Sequence, residues 1–123
     1  MKLQAERNDA LNTVTAYGEG FIEINRVRHS GPIRLQPEGE VLPWSVMSFD
    51  ALTEADFAAL LELGPELVLF GSGPSHRFPP PRLTAPLLRA GIGVEVMATP
   101  AACRTYNILI GEGRRVLAAL LPG

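Results

Sequence analysis

Cys103 has the side chain of this sequence with the greatest nucleophilic potential. Thr99 has the chemistry of a helix N-cap, so Cys103 and Arg104 would lie in the first turns of a helix, where the dipole and a cation favour a thiolate. A cysteine nucleophile also needs a base, and the two histidines, His29 and His76, are not adjacent to it in sequence. The two alanines before Cys103 favour a buried thiol instead. We therefore expect no catalytic residue.

The sequence Gly71-Ser72-Gly73 follows an apolar run that is typical of a buried strand. Two glycines at that place allow main-chain N–H groups to approach an anion, and Arg77 could supply a positive charge. A dinucleotide fingerprint would also require glycine at position 76, where the sequence has His76. Two interpretations stay open: a tight turn that needs glycine backbone angles, and a contact with a small anion or a partner.

Two further polar side chains, Arg104 and Asn107, follow on the helix that Thr99 is expected to begin. They could contribute to an anion site or fix a loop by hydrogen bonds. The candidate ligand-binding residues are Gly71, Ser72, Gly73, Arg77, Arg104 and Asn107. Trp44 is expected in the hydrophobic core.

Composition limits the classes of function. One cysteine and two histidines among 123 residues argue against a structural zinc site, and we expect neither a metal nor a cofactor. No apolar run approaches the roughly 20 residues of a membrane span, and the first ten residues lack the apolar stretch of a secretory signal. We expect a cytoplasmic protein that does not cross a membrane.

Charge is unevenly distributed along the chain. Residues 1–70 carry a net charge of −6 and residues 71–123 a net charge of +4, which gives the overall −2. The second half could present an anion-attracting face, or the two halves could interleave and cancel. A net charge this small does not favour nucleic acid as a partner.

The first half of the sequence predicts strands followed by one helix. Phe21 to Ile24, the turn Asn25-Arg26 and Val27 predict a hairpin, because Asn25 tolerates a positive φ. Short strands are predicted at 33–35 and 41–44. Thr53 with Asp56 three residues later predicts a capped helix that ends at Gly64-Pro65.

The second half predicts alternating strands and helices. Strands are expected at 66–70, 94–97 and 116–121. One helix is predicted from Thr84 to Gly91, because Pro86 is best tolerated in a first turn, and another from Thr99 to Ile110. The alternative for the last helix is a strand from Tyr106 to Ile110, since those residues are β-prone.

These elements predict an α/β fold: a single layered domain with a mixed central β-sheet, helices packed on it and an N-terminal β-hairpin. Residues 13–123 are expected to form this domain. Residues 1–12 are expected to be an N-terminal extension that could be mobile.

Several segments of the chain resemble one small protein family. They are GFIEINRVRHSG, VLPW, LTEADFAALL, LVLFGSG and GIGVEVMATPAACRTYNILIGEGRRVLAALLPG. The family includes a mitochondrial assembly factor of respiratory complex I, an adipogenesis-associated protein and many bacterial proteins of unknown function. The resemblance covers roughly residues 14–121 and implies an α/β fold with a mixed sheet and no established catalytic activity.

This chain departs from the family pattern at two positions. Relatives often have Asn-Gly where this chain has Asn25-Arg26, and often an aspartate where it has Ala98. The second difference argues against a scheme that needs a carboxylate there. The resemblance implies a non-catalytic interaction or assembly factor whose partners are other proteins, with complex I subunits or assembly intermediates as candidates. The alternative is a small-anion-binding domain or enzyme that uses the Gly71 to Gly73 loop and nearby arginines.

Overall fold

The N-terminal region forms a small antiparallel sheet in the computed structural model, which describes residues 11–123. Its strands, in spatial order, are β1 (Val14–Gly18), β2 (Phe21–Ile24) and β3 (Val27–His29). Asn25 and Arg26 join β2 to β3 with φ angles of 49° and 70°, as a type I′ turn requires. The predicted hairpin is confirmed, and β1 extends it to three strands.

A second, five-stranded sheet forms the centre of the fold. Its strands are β4 (Ile33–Leu35), β5 (Leu42–Pro43), β6 (Leu67–Ser72), β7 (Gly93–Met97) and β8 (Val116–Leu121). The spatial order is β5-β4-β8-β6-β7. Strand β6 runs parallel to β7 and β8, whereas β4 is antiparallel to β5 and β8. The predicted mixed central sheet is therefore confirmed.

Helix α1 (Glu54–Ala58) begins at a capping box and continues as a 3₁₀ helix, Ala59–Leu63. The hydroxyl of Thr53 accepts the main-chain N–H of Asp56, and the Asp56 carboxylate accepts that of Thr53. Gly64 ends the helix with a φ of 63°. The expected start and end signals are both present.

Helix α2 (Pro81–Arg89) begins three residues before the predicted start at Thr84. Pro81 takes the first-turn position, where a missing N–H costs nothing, and Pro86 lies inside the helix. The prediction assigned the first-turn role to the wrong proline. A nine-residue helix accommodates the internal proline because Leu83 and Leu87 are buried in the core.

Residues Thr99–Gly111 form helix α3. The predicted helix is therefore confirmed, and the alternative strand at Tyr106 to Ile110 is wrong. The N-cap residue of α3 is Ala98, so the expectation that Thr99 caps the helix was wrong. The hydroxyl of Thr99 is instead bonded to groups of β8 and of the loop after β6.

Hydrophobic clusters fill both faces of the central sheet. Helix α3 and the three-stranded sheet contribute to one cluster, together with residues such as Leu69 and Leu120. The opposite cluster contains residues of α1 and α2, with Trp44 packed edge-on against Phe57 and Phe70 at ring separations of 5.7 and 6.0 Å. Trp44 lies in the core, as expected.

The start of the described chain is held against the fold. The side chain of Asn12 donates to the carbonyls of Gln36 and Gly39 at 2.8 and 2.7 Å. The main-chain carbonyl of Asn12 accepts a hydrogen bond from the hydroxyl of Tyr106. Asn12 is the last residue of the expected N-terminal extension, most of which lies outside the described residues.

Candidate functional site

The Gly71-Ser72-Gly73 loop lies at the carboxyl ends of the parallel strands. Gly71 and Ser72 end β6, in register with Leu120 and Leu121 of β8. Ligands of open α/β sheets bind outside this edge. The geometry of the loop therefore decides whether the predicted anion site is available.

An open groove of about 510 Å³ lies beside this loop. Ser72 and Gly73 line it together with Arg77, Phe49 and Pro122. Four of the six candidate residues are thus in or next to one depression at the carboxyl edge of the sheet.

Close packing accounts for both glycines of the loop. A Cβ on Gly71 would lie 2.8 Å from Cδ2 of Leu120 and 2.9 Å from Oγ1 of Thr99. Gly73 has a φ of 104°, which side chains rarely allow. The tight-turn interpretation is sufficient to explain why glycine occupies these positions.

The polar groups of the loop are bonded inside the protein. The Gly73 N–H donates to Oγ1 of Thr99 at 2.9 Å, and the Thr99 N–H donates to the Gly73 carbonyl at 2.8 Å. The Ser72 hydroxyl accepts the Arg77 N–H at 3.0 Å and lies 2.7 Å from the Ser75 carbonyl oxygen. An anion in the groove would have to compete with these bonds or bind a side chain.

Arg77 is the cationic side chain of the groove. Its guanidinium lies 3.0 Å from the carboxylate of Asp50 and stacks over the Phe49 ring at 3.9 Å. Both charged side chains are substantially exposed, so the ion pair is weak and a stronger anion could displace Asp50.

Arg104 and Asn107 do not line this groove. The Asn107 side chain pairs with both main-chain groups of Val14, accepting at 3.0 Å and donating at 2.9 Å. Arg104 donates to the hydroxyl of Tyr17 at 2.7 Å. These two residues join α3 to β1, so the six predicted candidates are divided between two places.

Cys103 is buried on the inner face of α3, with 1% of its surface exposed. Burial raises the pKa of its thiol to about 11, and the nearby Arg104 charge only partly opposes that rise. Burial also raises the pKa of Tyr106, whose hydroxyl donates to the Asn12 carbonyl at 2.8 Å. Both groups are neutral at ordinary pH, and the expected burial of the thiol is confirmed.

Sequence reasoning missed the central position of Thr99. Its side chain is fully buried and bonds to both Gly73 and Leu121. The Thr-Pro pair gave a signal for a helix start, but no local pattern predicts contacts with residues more than 20 positions away.

The described residues carry neither a metal cluster nor a membrane-spanning helix. Among residues 11–123, no three His, Cys, Asp or Glu side chains are grouped so that they could hold a metal ion. In the same range, no helix has both the length and the hydrophobicity for a bilayer crossing.

Residues 14–121 match the model of a family described as protein of unknown function, DUF498/DUF598. The chain belongs to this family. The match extends from β1 to β8 and includes the Gly71 to Gly73 loop, Arg77 and the contacts of α3 with β1.

The proteins that resemble this chain include a mammalian assembly factor. The chain is 37% identical over 122 residues to the NADH dehydrogenase [ubiquinone] 1 alpha subcomplex assembly factor 3 of Bos taurus. The alignment covers 98% of this chain, and the chain spans 65% of the length of that relative.

Solved structures share the fold along nearly the whole chain. A crystal structure of a Bordetella parapertussis protein is similar at a TM-score of 0.88 and 50% identity, covering 93% of this chain and 98% of that one. A Bartonella henselae protein called an outer membrane protein is similar at a TM-score of 0.80 and 29% identity, covering 93% and 97%. The expected cytoplasmic location stays a prediction.

Proposed function

We propose that this protein is a non-catalytic factor that binds other proteins during the assembly of respiratory complex I. The observation that carries the proposal is the alignment of 98% of the chain with a complex I assembly factor. The matching region contains every described strand and helix, so the whole described fold lies within the part of the chain that resembles that assembly factor.

The use of polar groups inside the fold supports a non-catalytic role. The side chains of Ser72, Thr99 and Asn107 donate hydrogen bonds to main-chain carbonyls of the protein itself. The Cys103 thiol is buried and its pKa is raised, which is unfavourable for a nucleophile. These groups stabilise the fold rather than present themselves to a substrate.

Deletion of the gene tests the proposal in the source organism, provided that it has complex I. We expect less fully assembled complex I on native gels and an accumulation of subassemblies, with unchanged transcripts of the complex I subunits. Re-expression of the chain should restore the assembled complex. Normal amounts of complex I in the deletion strain would contradict the assembly role.

A second candidate function is the binding of a small anion in the groove beside Gly73. The observation that favours it is the half-exposed guanidinium of Arg77 at the carboxyl edge of parallel strands. Inorganic phosphate should then shift the amide resonances of Gly71, Ser72 and Gly73, and Arg77→Ala should abolish these shifts while Arg82→Ala should not. An absence of shifts at millimolar phosphate would eliminate this candidate.

A further inference from the structure

Strand β7, with five residues, forms one edge of the central sheet. It pairs with β6 on one side, and on the other side residues 94–96 have no main-chain bond to any element within residues 11–123. The opposite edge, β5, has two residues and ends in Pro43, which blocks pairing. An extended chain could therefore add to the sheet at β7.

An apolar groove of about 750 Å³ lies alongside β7. Helix α2 and the proline segment 79–81 form its walls, and Val94 and Val96 of β7 contribute its floor. Phe78 and Leu88 line it with 74% and 56% of their surfaces exposed. Apolar side chains of an added strand would be buried here.

Glu95 is the charged residue beside this groove, between Val94 and Val96 in the strand. It occupies the centre of the five-residue strand, and strand alternation places its side chain on the face opposite Val94 and Val96. It is exposed, and none of the ion pairs within residues 11–123 involves it. The β7 edge thus has apolar side chains on the face towards the groove and one unpaired negative charge on the opposite face.

The position of Glu95 argues against a second copy of this chain as the occupant. An antiparallel pairing of two β7 strands with full overlap would place Glu95 opposite the same residue of the other copy. Like charges directly opposite each other destabilise a strand pair, whereas opposite charges stabilise it. The same carboxylate that opposes self-pairing favours a basic side chain on a different chain.

We propose that the β7 edge binds an extended segment of another protein, in which a lysine or arginine opposite Glu95 is flanked by aliphatic residues that fill the groove beside Phe78 and Leu88. This inference rests on the proposed function, because it identifies the surface through which an interaction factor would contact its partner. The main chain supplies the hydrogen bonds, and Glu95 sets the register.

A blocked heptapeptide, acetyl-Ser-Thr-Val-Lys-Val-Thr-Ser-amide, is the probe for an NMR titration of the isotope-labelled protein. Its valines would face Val94 and Val96 while its lysine would face Glu95. We expect shifts of the amides of residues 94–96 and of Leu88. The same peptide with glutamate in place of lysine should bind about three- to tenfold more weakly, since an attraction becomes a repulsion.

Matched variants separate this surface from the rest of the molecule. Glu95→Arg should reverse the preference, so that the glutamate peptide binds better, while Glu112→Arg, also at an exposed position, should leave the preference unchanged. Leu88→Asp should weaken the binding of both peptides, whereas Ile108→Asp should not, although Ile108 is also an exposed apolar residue of a helix.

Three results of the titration would overturn the inference: equal binding of the two peptides, shifts that fall outside β7 and α2, or no shift at millimolar peptide. Dimerisation of the protein through β7 would overturn it as well. None of these readouts depends on complex I. A failure of the assembly role in the deletion strain is therefore distinguishable from a failure of the binding surface.

Discussion

Burial and charge act in opposite directions on Cys103, and burial has the larger effect. Its place early in α3, next to Arg104, favours the thiolate, but the side chain faces the cluster between α3 and the central sheet. The result is a pKa raised to about 11. A helix position alone therefore does not activate a thiol when the side chain lies on the buried face.

The buried thiol should be unreactive in the folded protein. At pH 8 we expect alkylation of Cys103 to be slow in the native state and fast in denaturant, as mass spectrometry can measure. Cys103→Ser should lower the free energy of unfolding by about 1–3 kcal/mol, because it buries a hydroxyl in an apolar cluster. Rapid alkylation of the native protein would contradict this prediction.

The same pKa shift predicts a pH dependence of stability. An unfolded thiol ionises near its ordinary value of 9.0, whereas the folded one keeps its proton up to about 11. The contribution of the thiol to stability is therefore complete below pH 9 and is lost as the pH rises to 11. Between pH 8 and pH 11 the free energy of unfolding should therefore fall further for the wild type than for Cys103→Ala, which lacks the thiol. Denaturant unfolding of both proteins at the two pH values measures the difference.

The turn between β2 and β3 holds Arg26 in a left-handed backbone conformation. Its φ is 70°, a conformation that is unfavourable for a residue with a side chain and not for glycine. Arg26→Gly should raise the free energy of unfolding by about 0.5–1 kcal/mol. Arg28→Gly should lower it, because Arg28 lies in β3 and stacks over the Phe21 ring at 3.8 Å. Chemical denaturation of both variants provides the measurement.

Elements were predictable from the sequence where their signals are local. The Asn25-Arg26 turn and the Thr53 capping box depend on neighbours within a few residues, and both were predicted correctly. The predicted start of α2 was wrong because either Pro81 or Pro86 could occupy a first turn, and only the packing of the core decides between them. Strand β1 was missed, although Val14 and Ala16 alternate with polar residues.

The candidate site was less predictable than the elements that carry it. The glycines at 71 and 73 indicated a special backbone, but the partner of the Gly73 N–H is Thr99, 26 residues later. Asn107 similarly bonds to Val14, 93 residues earlier. Such pairings are set by the tertiary fold, so residue types alone could not distinguish a ligand site from an internal bond.

Thr99 connects three parts of the molecule as a whole. Its hydroxyl accepts the Gly73 N–H after β6 and donates to the Leu121 carbonyl of β8, while its main chain begins α3. Thr99→Val keeps the shape and removes both bonds, leaving a buried donor and a buried acceptor unpaired. We expect a loss of about 2–4 kcal/mol in the free energy of unfolding.

Thr84→Val is the matched control for that substitution. Thr84 is also buried, but its hydroxyl bonds only within the first turn of α2, to the Pro81 carbonyl at 3.3 Å. We expect this variant to lose less than about 1 kcal/mol in denaturant unfolding. Equal losses in the two variants would show that the two hydrogen bonds of the Thr99 hydroxyl stabilise the protein no more than the local bond of Thr84.

The position of β8 in the sheet also constrains how the protein is made. Strand β8 follows the four other strands of this sheet in sequence, yet it lies between β4 and β6, and all six of its residues are buried. On a ribosome, β4 and β6 emerge early but have no common neighbour until residues 116–121 leave the exit tunnel. The central sheet therefore cannot close before residues 116–121 have left the tunnel, and until then the edges of β4 and β6 that β8 covers stay unpaired in the nascent chain.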